Sequence, residues 1–332
     1  MRVDIDAFET VHRPDWDRLS ALSGRRRLSG PEADELIRLY QRVSTHLSLL
    51  RSIAPESPTS TLLSSRLARA RTRFTGARSN LAEDVARFFV IALPAALYRL
   101  RWLVVVIGVL FCAVSTAYAL WVASDPQVLA TLGTEASRRR LVEQQFVAYY
   151  SENPAASFAG SVWVNNAWIA AQCVAFGVTG LWVPAVLMQN AVSLGLTAGI
   201  MVAYGRTDTF FAYILPHGLM ELTAVFVAGA AGLAIFWSWV RPGPRTRLQA
   251  LAEEGRSLIT VALGLVLVLA VSGVVEGFVT PSGLPTGVKI AIGALVLGAF
   301  WTYVLVLGRR AAAAGHNGDL DQADAGYRPL AA

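Results

Sequence analysis

Between residues 102 and 307 the chain carries block after block of roughly twenty apolar residues, and this pattern narrows its fold more than any other feature. A helix needs ~20 such residues to cross the hydrocarbon core of a bilayer. Six blocks qualify: 102–122, 162–181, 183–204, 211–240, 258–279 and 288–307. Trp182 and Pro184 mark a tight turn between the second and third. The expected fold class is therefore an all-α membrane protein of about six transmembrane helices with an N-terminal cytoplasmic helical domain. Composition agrees, with charged residues at only 16% and a mean hydropathy of +0.47. Soluble domains carry more charge than this.

Residues 1–99 read as a cytoplasmic helical domain that ends in an interfacial helix. Pro14 is placed to open a short helix that Gly24 closes. Ser29-Gly30-Pro31-Glu32 fits a capping box. After it, Leu36, Tyr40, Val43, Leu47 and Leu50 recur every three or four residues, which makes one apolar helical stripe. An arginine-rich helix is expected over 61–78. Asn80 and Glu83 can cap a third, running through Val85, Phe88 and Phe89 towards Pro94 along the membrane surface. Residues 1–30 hold no apolar core of the kind export requires, so the N-terminus is expected to stay in the cytoplasm.

Charge supports one orientation of the six-span bundle, residues 100–308. With the N-terminus inside, the basic loop 241–256 and Arg309-Arg310 also fall inside, as the positive-inside rule requires. The protein is thus expected in the inner (cytoplasmic) membrane as a multi-pass chain with both termini cytoplasmic. Arg138, Arg139 and Arg140 conflict with this, but they lie in a long segment, 124–160, where positive charge weighs less. That segment reads as an extracytoplasmic amphipathic helix that Asp125-Pro126 can start and Asn153-Pro154 can stop. Residues 309–332 are small and polar and are expected to be a disordered cytoplasmic tail. The net charge of +6 is a membrane-topology signal, and no nucleic acid is expected as a partner. Cys112 and Cys173 sit in apolar blocks and read as buried packing residues.

Polar residues inside the membrane require a reason, because an unpaired charge there costs several kcal/mol. His217 and Glu221 are four apart and share a helix face. The carboxylate is placed to hydrogen-bond the imidazole and fix its tautomer. Pro216 just before them removes a backbone donor and favours a helix break. Glu276, Asn165, Asn166 and Asn190 complete the candidate intramembrane polar site. Two uses compete: a proton-linked or substrate-contacting site, and a polar clamp between helices worth ~0.6–2 kcal/mol per hydrogen bond. A His–Glu–Glu metal site that recruits Glu276 is the alternative kept open, but no second histidine flanks the glutamate as in zinc proteases. The expectation is no metal, no cofactor and no catalytic residues. No phosphate loop or serine nucleophile turn is present. Gly195/Gly199 and Gly273/Gly277 form GxxxG pairs, and Gly229 and Gly232 another small face. Such faces let helices approach closely. Packing within one chain is the first expectation, and a homodimer interface the second.

These segments together resemble the stage II sporulation protein M family. Pro216-His217-Gly218, Glu221, Ala224 and Ala228-Gly229-Ala230-Ala231-Gly232-Leu233 are similar to its central signature. Asn165-Asn166 looks like its paired asparagine. Phe176-Gly177, Gly180, Asn190, Gly195 and Gly199 resemble its third-span pattern, and Glu276-Gly277-Phe278-Val279-Thr280-Pro281 its closing motif. The likeness covers about residues 100–307. The Trp16 and Leu39-Tyr40 neighbourhoods are similar to longer actinobacterial members; the shorter members of sporulating bacteria lack this domain. The resemblance implies a membrane scaffold or assembly component. In spore formers it anchors peptidoglycan-degrading enzymes, and in actinobacteria its relatives often lie beside genes for MoxR-type AAA+ ATPases. Expected partners are membrane lipids, envelope or other membrane proteins, and such an ATPase. A transporter or channel-like carrier built around His217 and Glu221 is the alternative function, and it requires a water-accessible cavity at that site.

Overall fold

The computed structural model describes residues 5–25, 28–53, 57–74, 81–150 and 155–319, and among them no strand occurs. The chain divides into two compact units, Met1–Glu83 and Asp84–Ala332. The boundary thus falls earlier than residue 99.

Among its described residues the first unit holds three complete helices: α1 (Ile5–Gly24), α2 (Gly30–Ile53) and α3 (Pro58–Phe74). Pro14 does not open α1 but sits inside it. Its ring removes only one backbone donor, and the helix face carrying Trp16, Leu19 and Leu22 is fully buried. Ser29 donates from both its backbone N–H and its hydroxyl to Glu32 at 2.9 Å, the acidic half of the expected cap. Those bonds hold the Glu32 carboxyl below its usual range. Along α2, Leu36, Val43, Leu47 and Leu50 are buried as the stripe predicted, while Leu39 rather than Tyr40 joins them. Leu63 and Ala70 of α3 close the core. One polar bond lies inside it: the Trp16 indole N–H donates to His46 Nδ1 at 3.1 Å.

From Leu81 onwards, the expected interfacial helix does not lie apart from the first span. α4 (Leu81–Arg87), a π-helical turn (Phe88–Ala92) and α5 (Leu93–Ser124) follow without a break. Pro94 supplies no N–H within this stretch, and the Phe89 carbonyl instead accepts from the Tyr303 hydroxyl at 2.6 Å. Three short helices follow, α6 (Pro126–Thr131), α7 (Glu135–Arg140) and α8 (Phe146–Ala148), with a π turn at Leu141–Gln145. Asp125 caps α6 through the N–H groups of Gln127 and Val128. The segment is therefore several short pieces instead of one amphipathic helix, broken where Gly133 adopts a φ of +106°. Its expected stop at Asn153-Pro154 lies outside the described residues. Its buried side chains, Val142, Phe146 and Tyr150, pack on Met201 and Phe210.

The bundle is completed by α9 (Ala155–Ala175), α10 (Trp182–Ala203), α11 (Thr207–Val240), α12 (Arg247–Val274) and α13 (Thr286–Ala313). Among the described residues, five helical stretches are long and apolar enough to cross a membrane: 82–124, 182–203, 207–240, 247–279 and 286–313. The sixth expected span, α9, is 21 residues long but carries Asn165, Asn166 and Gln172. It packs against α11 and α12. The turn before α10 is a 3-10 helix at Gly177–Thr179 closed by Gly180 at a φ of +73°.

Small residues set how closely these helices lie. A Cβ on Gly195 would come within 2.6 Å of the Ser115 carbonyl, and one on Gly199 within 2.6 Å of Val122 Cβ. Gly229 meets Leu187, Gly232 the Cys173 carbonyl, and Gly273 the Ala159 carbonyl. These glycines serve packing within the chain. Cys173 is buried as expected, whereas Cys112 is exposed on α5.

The tail departs from expectation up to residue 319. α13 continues to Ala313, Gly318 packs on Ala96, and the Thr260 hydroxyl donates to the Gly318 carbonyl at 3.0 Å. Arg256 then holds Asp319 through two bonds of 2.7 and 2.6 Å. A bidentate ion pair of this kind orders a segment whose composition alone suggests disorder. Residues 320–332 lie outside the described residues.

Candidate functional site

Three helices bring one polar cluster together. α11 contributes His217 and Glu221 from one face, α9 contributes Asn166, and the end of α12 contributes Glu276. Glu276 sits in a π-helical turn, Val275–Val279, which continues α12. Such turns re-aim a side chain out of the regular helical register and are frequent at functional sites. His217 is 4% exposed and Glu276 3%, while Glu221 is half-buried, so the cluster is covered at two of its three ionisable members.

The geometry is specific about the imidazole. His217 Nδ1 lies 3.2 Å from Thr280 Oγ1. The Thr280 hydroxyl donates to the Val275 carbonyl at 3.4 Å, which leaves its oxygen to accept from Nδ1–H. Nε2 then presents its lone pair to Glu276 Oε1, 3.7 Å away. The Ser272 hydroxyl donates to the His217 carbonyl at 3.2 Å and ties α12 to α11. Thr280 is itself fixed from α13, where Lys289 Nζ donates to its carbonyl at 2.7 Å. Over the cluster lies Tyr150, its ring centroid 5.8 Å from that of His217.

The sequence expected Glu221 to hold His217. The structure instead turns His217 towards Thr280 and Glu276, while the Glu221 carboxyl hydrogen-bonds Glu276 and Asn166. His217, Glu221 and Glu276 each offer a ligand atom, and these atoms all lie within 4.8 Å of one another. One oxygen on each carboxyl, Glu221 Oε2 and Glu276 Oε2, is buried without a hydrogen-bond partner.

Two expected members fall outside. Asn165 is exposed, because adjacent helical residues point some 100° apart and only Asn166 turns inward. Asn190 spends its amide on the Val186 carbonyl of its own helix, at 2.8 Å. Pro216 does not break α11, which runs unbroken from Thr207 to Val240. The α13 backbone closes onto it: a Cβ on Gly293 would collide with the Pro216 carbonyl. Thr280, Ser272, Lys289 and Tyr150 were not singled out as site residues. Only Thr280 had a signal, its place four residues after Glu276.

A separate cavity of about 490 Å³ lies between α5, α10 and α11. Its lining is almost wholly apolar, with Phe111, Leu194, Phe210, Leu222 and Phe226 among the residues. It includes neither His217 nor either glutamate.

The family model described as Stage II sporulation protein M matches residues 103–281, which is more than half of the chain. A second family model, described as a domain of unknown function, matches residues 6–76. No curated protein and no solved structure matches the chain.

Proposed function

The chain belongs to the stage II sporulation protein M family, and from that premise we propose that it is a membrane scaffold. Its helical bundle anchors the chain, and residues 1–83 recruit a protein partner. The observation that carries this reading is the compactness of residues 1–83, which form a unit with a core of their own. A segment that only tethered the bundle would need no buried Trp16, Leu19 and Leu22. The partners fitting the family's setting are envelope or peptidoglycan-processing proteins, or an AAA+ ATPase that acts from the cytoplasm. Arginines at 241, 245, 247, 256, 309 and 310 support an inner-membrane orientation with both termini cytoplasmic.

The test is affinity capture from the native host, comparing the full chain with one that lacks residues 1–83. A partner held by the full chain, lost on truncation and recaptured by the isolated 1–83 unit is the expected result. An identical set of captured proteins with and without those residues would overturn the scaffold reading.

Transport is the second reading, favoured by the convergence of His217, Glu221, Glu276 and Asn166. The burial of His217, Glu276 and Asn166 and the apolar lining of the cavity beside them weigh against an open aqueous path. Cysteines placed at these four positions should resist membrane-impermeant thiol reagents if the scaffold reading is right; labelling across the set would favour transport.

A further inference from the structure

We propose that His217, Glu221 and Glu276 form a divalent transition-metal site, with Zn²⁺ as the preferred ion. This goes beyond the scaffold reading and does not depend on it.

Three observations converge. Donor atoms of the three side chains lie within 4.8 Å of one another, close to the spacing that one ion demands. Ligands about 2.0–2.1 Å from a tetrahedral zinc sit about 3.3 Å apart, and His217 Nε2 is 3.7 Å from Glu276 Oε1. Second, the groups that face one another are short of positive charge. An imidazole lone pair and two carboxyls lie together, and the proton of the Glu221–Glu276 hydrogen bond serves only one of these contacts, whereas a cation serves all three. Glu276 is 3% exposed, yet its Oε2 has no hydrogen-bond partner, and Glu221 Oε2 is buried in the same condition. Buried polar atoms left this way carry an energetic penalty, which a bound cation removes. Third, the histidine is already oriented. A ligating imidazole characteristically donates its other ring N–H to an outer partner that fixes its tautomer, and Thr280 fills that place for Nδ1.

The donor set selects the class of ion. Imidazole with carboxylates suits zinc and its first-row neighbours, while a site for magnesium or calcium would be all oxygen. Three protein ligands leave a fourth position open for water, the pattern of a reactive rather than a purely structural zinc. Asn166, hydrogen-bonded to Glu221, orients that carboxyl.

The experiment uses the full chain, tag removed, in detergent, stripped with chelator and then loaded with Zn²⁺. Elemental analysis after gel filtration should find about one zinc per chain. His217→Ala and Glu276→Gln should lose it, and Thr280→Val, which keeps all three ligands, should bind about 10–100-fold more weakly. Co²⁺ in place of Zn²⁺ should give the visible absorption bands of a tetrahedral nitrogen–oxygen site. Because the ligand variants risk misfolding, the decisive arm is the wild type: added Zn²⁺ should raise its unfolding temperature. A stripped wild type that takes up no Zn²⁺, gives no Co²⁺ bands and melts at the same temperature with either ion would overturn the proposal and leave a proton shared between the carboxyls. Zinc content unchanged by His217→Ala and Glu276→Gln together would overturn it too, by placing the ion elsewhere. Neither outcome bears on whether residues 1–83 capture a partner.

Discussion

The two units of this chain solve the same packing problem by opposite means. In residues 1–83, large side chains fill the space between helices: Trp16, Leu19, Leu22, Leu36, Leu50 and Leu63 are all at most 1% exposed. In the membrane unit the helices meet on glycine and alanine, and Ala224, Ala228 and Ala230 are completely buried. The difference follows from the solvent. Water drives bulky apolar groups into a core at about 25 cal/mol per Å². Lipid offers no such drive, so helices there gain from close backbone approach and from polar contacts. Polar groups divide the same way. Outside the membrane the helices are joined by exposed ion pairs such as Arg18–Glu35 and Arg42–Asp15, each worth little. In the membrane unit some polar groups are buried instead: Glu254 is 7% exposed, and Arg99 grips it through bonds of 2.6 and 2.5 Å and donates to Ser257 at 2.9 Å.

The contrast can be broken most directly at Trp16. Trp16→Ala should destabilise the isolated 1–83 unit by about 3–5 kcal/mol in denaturant unfolding, because it opens a cavity and strands the His46 acceptor. A change near zero would mean that this unit has no cooperative core. A smaller but sharper test uses glycine. Gly232→Ala adds one carbon that meets the Cys173 carbonyl and lies 2.9 Å from Val183 Cγ2. It should cost about 1–3 kcal/mol, read as a lowered unfolding temperature of the detergent-solubilised chain. Gly30→Ala, where a Cβ would meet nothing within 4 Å, should stay within about 0.5 kcal/mol. Equal losses at the two sites would remove the distinction drawn between the units.

The smallest expected effect is a pH dependence confined to residues 1–83. Burial, and then the neighbouring His12, hold the His46 imidazole below its ordinary value of about 6.5. A depressed histidine gives stability that is complete above the unfolded value and is lost as pH falls through the folded one. Protonating Nδ1 also destroys the acceptor that the Trp16 indole uses. The 1–83 unit should therefore melt lower at pH 5 than at pH 8, and His46→Gln should flatten that difference. An unfolding temperature that rises on acidification would contradict the arrangement.

How much of this was legible beforehand differs by unit. The α2 stripe named Leu36, Val43, Leu47 and Leu50 correctly, because on a water-facing helix period and burial coincide. In the membrane unit the lipid face is also apolar, so period carries less information. The spans were read from length, yet nothing in the sequence told which of Asn165 and Asn166 turned inward. His217 and Glu221 were legible as one face of α11 from their spacing alone.

The sequence by itself determined the class of the molecule: helical spans long enough for a bilayer, a charged helical segment before them, and ionisable groups within them that demanded a reason. Those are properties of single segments, set by hydropathy and helical period. Only the tertiary structure decided which groups met. Glu276 reaches His217 because α12 packs on α11 and a π turn re-aims its last residues. Asp319 orders the tail because Arg256 lies within reach of it. Rotation of each helix about its axis is set by the fit of small residues between neighbours, and that fit is a property of pairs of helices which no one segment encodes.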